Sequence, residues 1–198
     1  MPTKEVTTSP YHFYNVWVPD DRYPIDAQHE VYNVLDVCRK LGTRVRIVFG
    51  YPDTGEAMLN TGMLKEGVVH YPYTNSNELG LRYRKNARKV NMLRIECIML
   101  ITDVATGLVL YRANNYKTPL IRVASSSVLK DEHIWLSRTY KYVVLVGDSN
   151  NEYSYITRTP KVALSKARAL AKYFGGGYTV DVDTGIQPWK SYPTEDAS

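Results

Sequence analysis

The chain has 198 residues, 44% of them apolar and 23% charged, with a net charge of +5. These are ordinary globular values, enough for one large domain or two small ones, and they exclude a largely disordered chain. No apolar run approaches the roughly 20 residues that a bilayer-spanning helix needs, which excludes a helical membrane protein. Seventeen Tyr stand against three Phe. Tyr joins apolar area to a hydroxyl, so the bias suits β-structure and contact surfaces.

In chain order, residues 1–10 read as a polar arm without the apolar core of a signal peptide. Tyr11–Val18 is strand-like. Asp26 stands where a helix cap belongs, and Val31, Val34, Leu35, Cys38 and Leu41 form a stripe that predicts a helix closed by Gly42. Thr43–Phe49 alternates: Val45, Ile47 and Phe49 face one way, Arg44 and Arg46 the other. Gly67–Tyr73 reads as a further strand and Thr74–Gly80 as a loop. Val90–Thr102 is the most apolar strand-like run, turned by Asp103–Gly107 and returned by Leu108–Arg112.

A short strand is expected at Ile121–Ala124 and a loop at Ser125–Ser127. The strongest pattern is Tyr140–Phe174, a β-hairpin feeding a helix. Tyr140–Val146 and Glu152–Thr157 are its strands, with Tyr153 and Tyr155 on one face. Thr159 is placed to cap the helix, with Pro160 in its first turn. Leu164, Ala167, Ala171 and Phe174 make the apolar stripe, Lys161, Ser165, Arg168 and Lys172 a polar face, and Gly175–Gly177 the stop. Tyr178–Val182 is a last strand. The expected fold is α+β and β-rich, a barrel-like or strongly twisted antiparallel sheet with two helices. One domain is expected over residues 1–198, with a soft division into 11–124 and 128–190.

Few motifs carry chemistry. Cys38 and Cys97 lack any CxxC spacing and read as free buried thiols. Asp-Thr-Gly occurs at Asp53–Gly55 and Asp183–Gly185, but the context is wrong for a pepsin-like carboxylate pair, and Asp103–Gly107 repeats the pattern as plain turn chemistry. His12, His29, His70 and His133 never fall at metal-ligand spacing. Asp131-Glu132-His133 is a local cluster that a hydrated loop explains as well. No catalytic residues, metal site or cofactor are expected.

The basic tract is the better signal. Arg82, Arg84, Lys85, Arg88, Lys89 and Arg94 place six positive charges and no acid in thirteen positions, so the remainder of the chain nets −1. Tyr71, Tyr73 and Tyr83 lie beside them, and Arg44 and Arg46 add a basic strand face. Aromatic faces beside cations suit phosphate backbones and single strands. The bland alternative is a solvated loop whose charges only keep the protein soluble. These eleven residues are the candidate binding set.

Arg44–Gly55 (RVRIVFGYPDTG), taken with Thr106–Arg112 (TGLVLYR), resembles small accessory proteins of bacteriophages and bacterial mobile elements. The likeness covers about Gly42 to Val123, and Tyr51-Pro52 departs from it by displacing Asp53 from Gly50. The resemblance implies context alone: a short soluble protein acting in the cytoplasm of a bacterial host. The leading expectation is therefore a non-enzymatic protein that docks on a host protein or protein–nucleic-acid complex, with inhibition of a defence system as its role. No membrane partner is expected, and oligomeric state is left open. Direct nucleic-acid binding through residues 82–94 is the first alternative. A small hydrolase using Asp183 or the Asp131–His133 cluster is the second.

Overall fold

A computed structural model describes residues 25–59, 65–71, 78–83, 87–129, 138–148 and 151–187. They form an α+β fold of two helices and ten strands in two open sheets, and neither sheet closes into a barrel among the described residues. The chain divides into two compact units. Unit 1 is Met1–Gly55 with Leu64–Tyr116; unit 2 is Glu56–Met63 with Lys117–Ser198. The expected strand at Tyr11–Val18 lies outside the described residues.

Unit 1 holds helix α1 (Ile25–Leu41) and strands β1 (Arg44–Phe49), β2 (Lys65–Tyr71), β3 (Glu78–Arg82), β4 (Asn91–Arg94), β5 (Ile98–Asp103) and β6 (Val109–Arg112). The sheet order is β4-β3-β2-β1-β5-β6, and every neighbouring pair is antiparallel. Helix α1 packs on β2, β6 and the 3₁₀ turn Ile95–Cys97. Val31, Leu35 and Cys38 are buried as the stripe requires, and Tyr32 and Asp36 are buried with them. Leu41 departs from the stripe and is 75% exposed. It is the last residue of the helix, so no further turn packs beside it.

Two expectations in unit 1 are corrected. The tract Thr74–Gly80 is not a loop throughout, because β3 begins at Glu78 and pairs with both β2 and β4. Val90–Thr102 is not one strand. Asn91–Arg94 pairs with β3, whereas Ile98–Asp103 pairs with β1 on the other side of β2. One straight strand cannot occupy both places, and the 3₁₀ turn Ile95–Cys97 moves the chain between them. Strand β1 is also buried beyond simple alternation: Val48 is covered along with Val45, Ile47 and Phe49. It is paired on both edges, and the β1–β5 register shifts between Val48 and Phe49.

Unit 2 holds β7 (Ile121–Ser125), β8 (Tyr142–Asp148), β9 (Asn151–Thr157), helix α2 (Pro160–Phe174) and β10 (Thr179–Val180), in the order β10-β7-β8-β9. The β8–β9 hairpin keeps register from Tyr142↔Thr157 to Asp148↔Asn151. Thr159 caps α2 by accepting a hydrogen bond from the Val162 N–H at 3.3 Å, with Pro160 in the first turn. Gly175 ends the helix in the left-handed conformation. Leu164, Ala167, Ala171 and Phe174 are buried as the stripe predicts, with Ala163, Leu170 and Tyr173 beside them.

Helix α2 packs on β7, β8 and β9. Lys166 lies over the Tyr155 ring at 4.0 Å, and Tyr155 stands opposite Val144, itself opposite Val123. That face of the sheet therefore lies under the helix. The other face carries a smaller cluster of Ala124, Val143 and Leu145, with Leu129 and Ile156 against it. The expected loop at Ser125–Ser127 is a 3₁₀ turn over Ser126–Val128, and the last strand is only Thr179–Val180, pairing parallel with β7.

Phe174 is 1% exposed, whereas Arg168 and Lys172 face solvent. Phe174→Ala is expected to destabilise unit 2 by about 3–5 kcal/mol. Charge reversal at Arg168 and Lys172 together is expected to cost under about 1 kcal/mol. Urea titration followed by tyrosine fluorescence checks the pair, and the reverse ranking would mean the helix faces are assigned backwards.

Candidate functional site

The register of the unit 1 sheet decides which of the candidate residues share a face. Residues directly opposite across strands project to the same side. Arg44 stands opposite Val68, and Val68 opposite Arg82; Arg46 stands opposite Glu66. Glu78 stands opposite Arg94 on the next strand pair. Arg44, Arg46, Arg82 and Arg94 thus come to one face from three strands, β1, β3 and β4, with Glu66 and Glu78 among them.

The charges on that face are held in place. Arg44 Nε donates to Glu66 Oε1 at 3.1 Å and Arg46 Nη2 to Glu66 Oε2 at 3.4 Å, so one carboxylate serves two guanidiniums. Arg44 Nη1 also donates to the Tyr83 carbonyl at 2.6 Å, and its guanidinium lies over the Tyr83 ring at 5.1 Å. Tyr83 itself is 67% exposed. Arg82 Nη2 donates to His70 Nε2 at 2.8 Å. Arg94 is 68% exposed and meets Glu96 at 3.5 Å. Arg88 and Lys89 are exposed and form no ion pair among the described residues.

This placement refines the candidate set. Arg44, Arg46, Arg82 and Tyr83 come together, and Arg88 and Lys89 follow Tyr83 along the chain toward β4. Arg94 is set apart by its contact with Glu96. Tyr73, Arg84 and Lys85 lie outside the described residues, as does the side chain of Tyr71. Sequence reasoning missed Glu66, His70, Arg39 and Lys40, which the fold brings to the same region. None lies within the basic tract: strand pairing brings in Glu66 and His70, and the end of α1 brings in Arg39 and Lys40.

The turn triplets are structural. Gly55, Gly107 and Gly185 have φ of 72°, 75° and 66°, the left-handed region in which glycine avoids the Cβ clash. Asp103 Oδ1 accepts from Ala105 N at 2.7 Å, and Thr184 Oγ1 accepts from Ile186 N at 3.1 Å. Asp53 and Asp183 are both exposed. In unit 2, a shallow hollow of about 410 Å³ is lined by Ser125–Ser127, Tyr140–Tyr142, Asp183 and Thr184. Three of its hydroxyls are already committed: Ser126 donates to the Tyr140 carbonyl, Ser127 to Ser125 Oγ and Thr184 to the Asp181 carbonyl. Asp183 makes no hydrogen bond to a serine among the described residues. The Asp131–His133 cluster lies outside them. No group of three or more His, Cys, Asp or Glu able to hold a metal gathers among the described residues.

Cys38 and Cys97 are free thiols; Cys38 is buried and Cys97 half-buried. Burial, and after it the nearby Asp103 carboxylate, pushes the Cys38 thiol up to about 11. At pH 8 about one molecule in a thousand then carries the thiolate. Cys38 is therefore expected to resist maleimide at pH 8 until the protein is unfolded, as mass spectrometry would record; rapid labelling of the native protein would contradict this burial. Glu66→Gln is expected to destabilise unit 1 by about 1–2 kcal/mol, because two guanidiniums lose their shared carboxylate while solvent screens part of the loss. Arg88→Glu with Lys89→Glu should move the same denaturation midpoint by under about 0.5 kcal/mol.

No protein-family model, curated protein or solved structure matches the chain.

Proposed function

We propose that this protein works by binding. Unit 1 docks through the face carrying Arg44, Arg82, Tyr83, Arg88 and Lys89 onto the sugar–phosphate backbone of a nucleic acid, bare or within a host protein–nucleic-acid complex. The bacterial cytoplasm of a phage- or element-bearing host is the setting that the resemblance of Arg44–Gly55 and Thr106–Arg112 implies.

The observation that carries the reading is the Arg44–Tyr83 pair. An exposed aromatic ring with a guanidinium already stacked on it offers a platform for a base beside a donor for its phosphate. Arg82 lies one residue before that ring, and Arg88 and Lys89 extend the positive charge beyond it. Such a surface binds mainly through counterion release, so its affinity falls steeply with salt and depends little on sequence.

Fluorescence anisotropy with labelled single-stranded and duplex oligonucleotides tests this at several salt concentrations. Affinity is expected to fall linearly in log–log form with added salt, and Arg88→Glu with Lys89→Glu should weaken it and flatten the slope. Tyr83→Ala should cost single strands about 1–3 kcal/mol and duplexes less, because only an unstacked base reaches the ring. Absence of binding at low salt, or binding indifferent to these substitutions, would overturn the proposal.

A further inference from the structure

Strand β9 is the outer strand of the unit 2 sheet, and among the described residues no strand pairs with its far side. The sheet edges differ in what they offer a partner. Strands β4 and β6 have four residues each and β10 has two, whereas β9 has seven. It keeps one register along its whole length and contains no Lys or Pro, residues that commonly blunt such an edge.

The hydrogen bonds fix which of its backbone groups point outward. Gly147, opposite Glu152, donates its N–H to the Leu120 carbonyl at 2.8 Å, on the β7 side. Glu152 therefore stands at a non-hydrogen-bonded position of the β8–β9 ladder, and its own N–H and C=O point away from β8. Alternation sends those of Ser154 and Ile156 the same way. Thr157 is on the opposite phase, and its carbonyl accepts from Lys141 N–H at 3.2 Å, on the β8 side. Three residues thus hold out a donor and an acceptor each.

An edge of this kind accepts an extended strand, and its side chains say which one. Glu152 and Arg158 are both exposed, and neither forms an ion pair among the described residues. Arg158 rests over the Tyr140 ring at 5.2 Å. Glu152 lies three positions before Tyr155 and Arg158 three after it. The segment is therefore charge-complementary to its own reverse.

We propose that two copies of this chain pair through β9, antiparallel about a two-fold axis at Tyr155, so that their unit 2 sheets become one. In that register Tyr155 stands opposite its own copy, Ser154 opposite Ile156, and Glu152 opposite Arg158 at both ends. Ser154 and Ile156 both carry outward backbone groups, so they form the hydrogen-bonded pairs that antiparallel strands need. A shift of two residues one way puts Glu152 opposite Ile156, and the other way opposite Pro160. Either leaves the carboxylate without a cation, and a shift of one sets outward groups against inward ones. The two-fold also closes the edge on itself, so association stops at two.

Side-chain contacts across the seam act in both directions. Ile156 packs against the cluster of Ala124, Val143 and Leu145 on the face away from the helix. Pairing sets the two Ile156 side chains diagonally across the axis and continues that cluster from one sheet into the next. On the helix face the two Tyr155 rings meet at the axis, each 4.9 Å from its own Tyr153. Lys166 lies over each Tyr155 ring, and these two ammonium charges oppose the pairing. The seam is also narrow, so the expected dissociation constant is about 1–100 μM.

Sedimentation velocity of the full-length protein from about 1 to 300 μM tests this. A reversible monomer–dimer equilibrium is expected. Glu152→Arg and Arg158→Glu should each weaken it at least roughly tenfold, because like charges then oppose each other at both ends. Mixing these two variants should restore dimers, since each supplies the charge the other lacks, and the double variant should dimerise alone. Ser154→Pro removes an outward N–H that β8 does not use, so pairing should be lost while far-UV circular dichroism stays unchanged. Should the proline disturb the fold, the charge exchange alone decides. Monomer mass across the whole range would overturn the proposal and leave the edge to a strand of another protein or to solvent. Dimers indifferent to both single charge reversals would mean a different interface and overturn it equally. Oligonucleotide binding by unit 1 is read separately, through the Arg88 and Lys89 variants, so neither result decides the other.

Discussion

Arg44 and Arg46 stand two positions apart on one face of β1, which brings their side chains to within about 7 Å of each other. Two like charges at that separation on a half-covered sheet repel, and Glu66 is what makes the arrangement stable. Its carboxylate reaches both guanidiniums because Arg46 and Glu66 are direct partners across the β1–β2 ladder. The same ladder places Val45 and Ile47 on the opposite, fully buried side. A slip of one residue would move Glu66 under that apolar surface and strip both arginines of their partner. The electrostatic demand and the apolar demand therefore select one register, and that register in turn brings Val68 and Arg82 beside Arg44. The cationic face follows from the pairing of β1 with β2.

Close approach matters as much as charge in this part of the sheet. A Cβ on Gly67 would sit 2.2 Å from the Arg82 carbonyl, so β2 and β3 approach each other here only because position 67 has no side chain. The residue that allows this lies between Glu66 and Val68, and the backbone it approaches belongs to Arg82. Small size at one position and charge at its neighbours are thus parts of one local solution. Unit 2 solves a different problem. Its helix lies close to the sheet through Ala163, Ala167 and Ala171, its basic residues face water, and Lys166 covers a tyrosine ring with its charged end. Unit 2 holds cations too, Arg122 against Asp181 and Arg158 over the Tyr140 ring, but singly and not on one shared carboxylate.

The sequence showed unit 2 almost in full. Thr159, Pro160, the apolar stripe and Gly175 are local signals, each acting within a few residues of itself, so one pass along the chain reads them. Unit 1 was legible where alternation is local, as in β1 and the β5–β6 hairpin around Asp103–Gly107. It was illegible where one apolar run serves two positions. Nothing within Val90–Thr102 marks that its first part pairs with β3 and its last with β1, because the 3₁₀ turn between them contains neither Gly nor Pro. The site was half legible for the same reason. Clustering of like charge in residues 82–94 is a local signal, whereas Glu66 lies 22 residues from Arg44 and His70 lies 12 from Arg82. Counting charges along the chain therefore overstated Arg44 and Arg46 as a bare basic surface and overlooked the carboxylate between them.

What separates a recognition surface from a soluble one is the order of its cations. Exposed lysines and arginines that serve solubility move freely, and each gives up rotamer entropy when it is recruited to a ligand. On unit 1 several of those rotamers are already chosen: Glu66 fixes Arg44 and Arg46, the Tyr83 carbonyl and ring fix Arg44 again, and His70 fixes Arg82. A fixed guanidinium loses less on contact and presents its donors in a set direction, which favours an anion of matching shape over diffuse counterions. Each holding partner also differs in how readily it lets go. Glu66 meets two arginines through its two carboxylate oxygens, whereas His70 meets Arg82 through a single ring nitrogen.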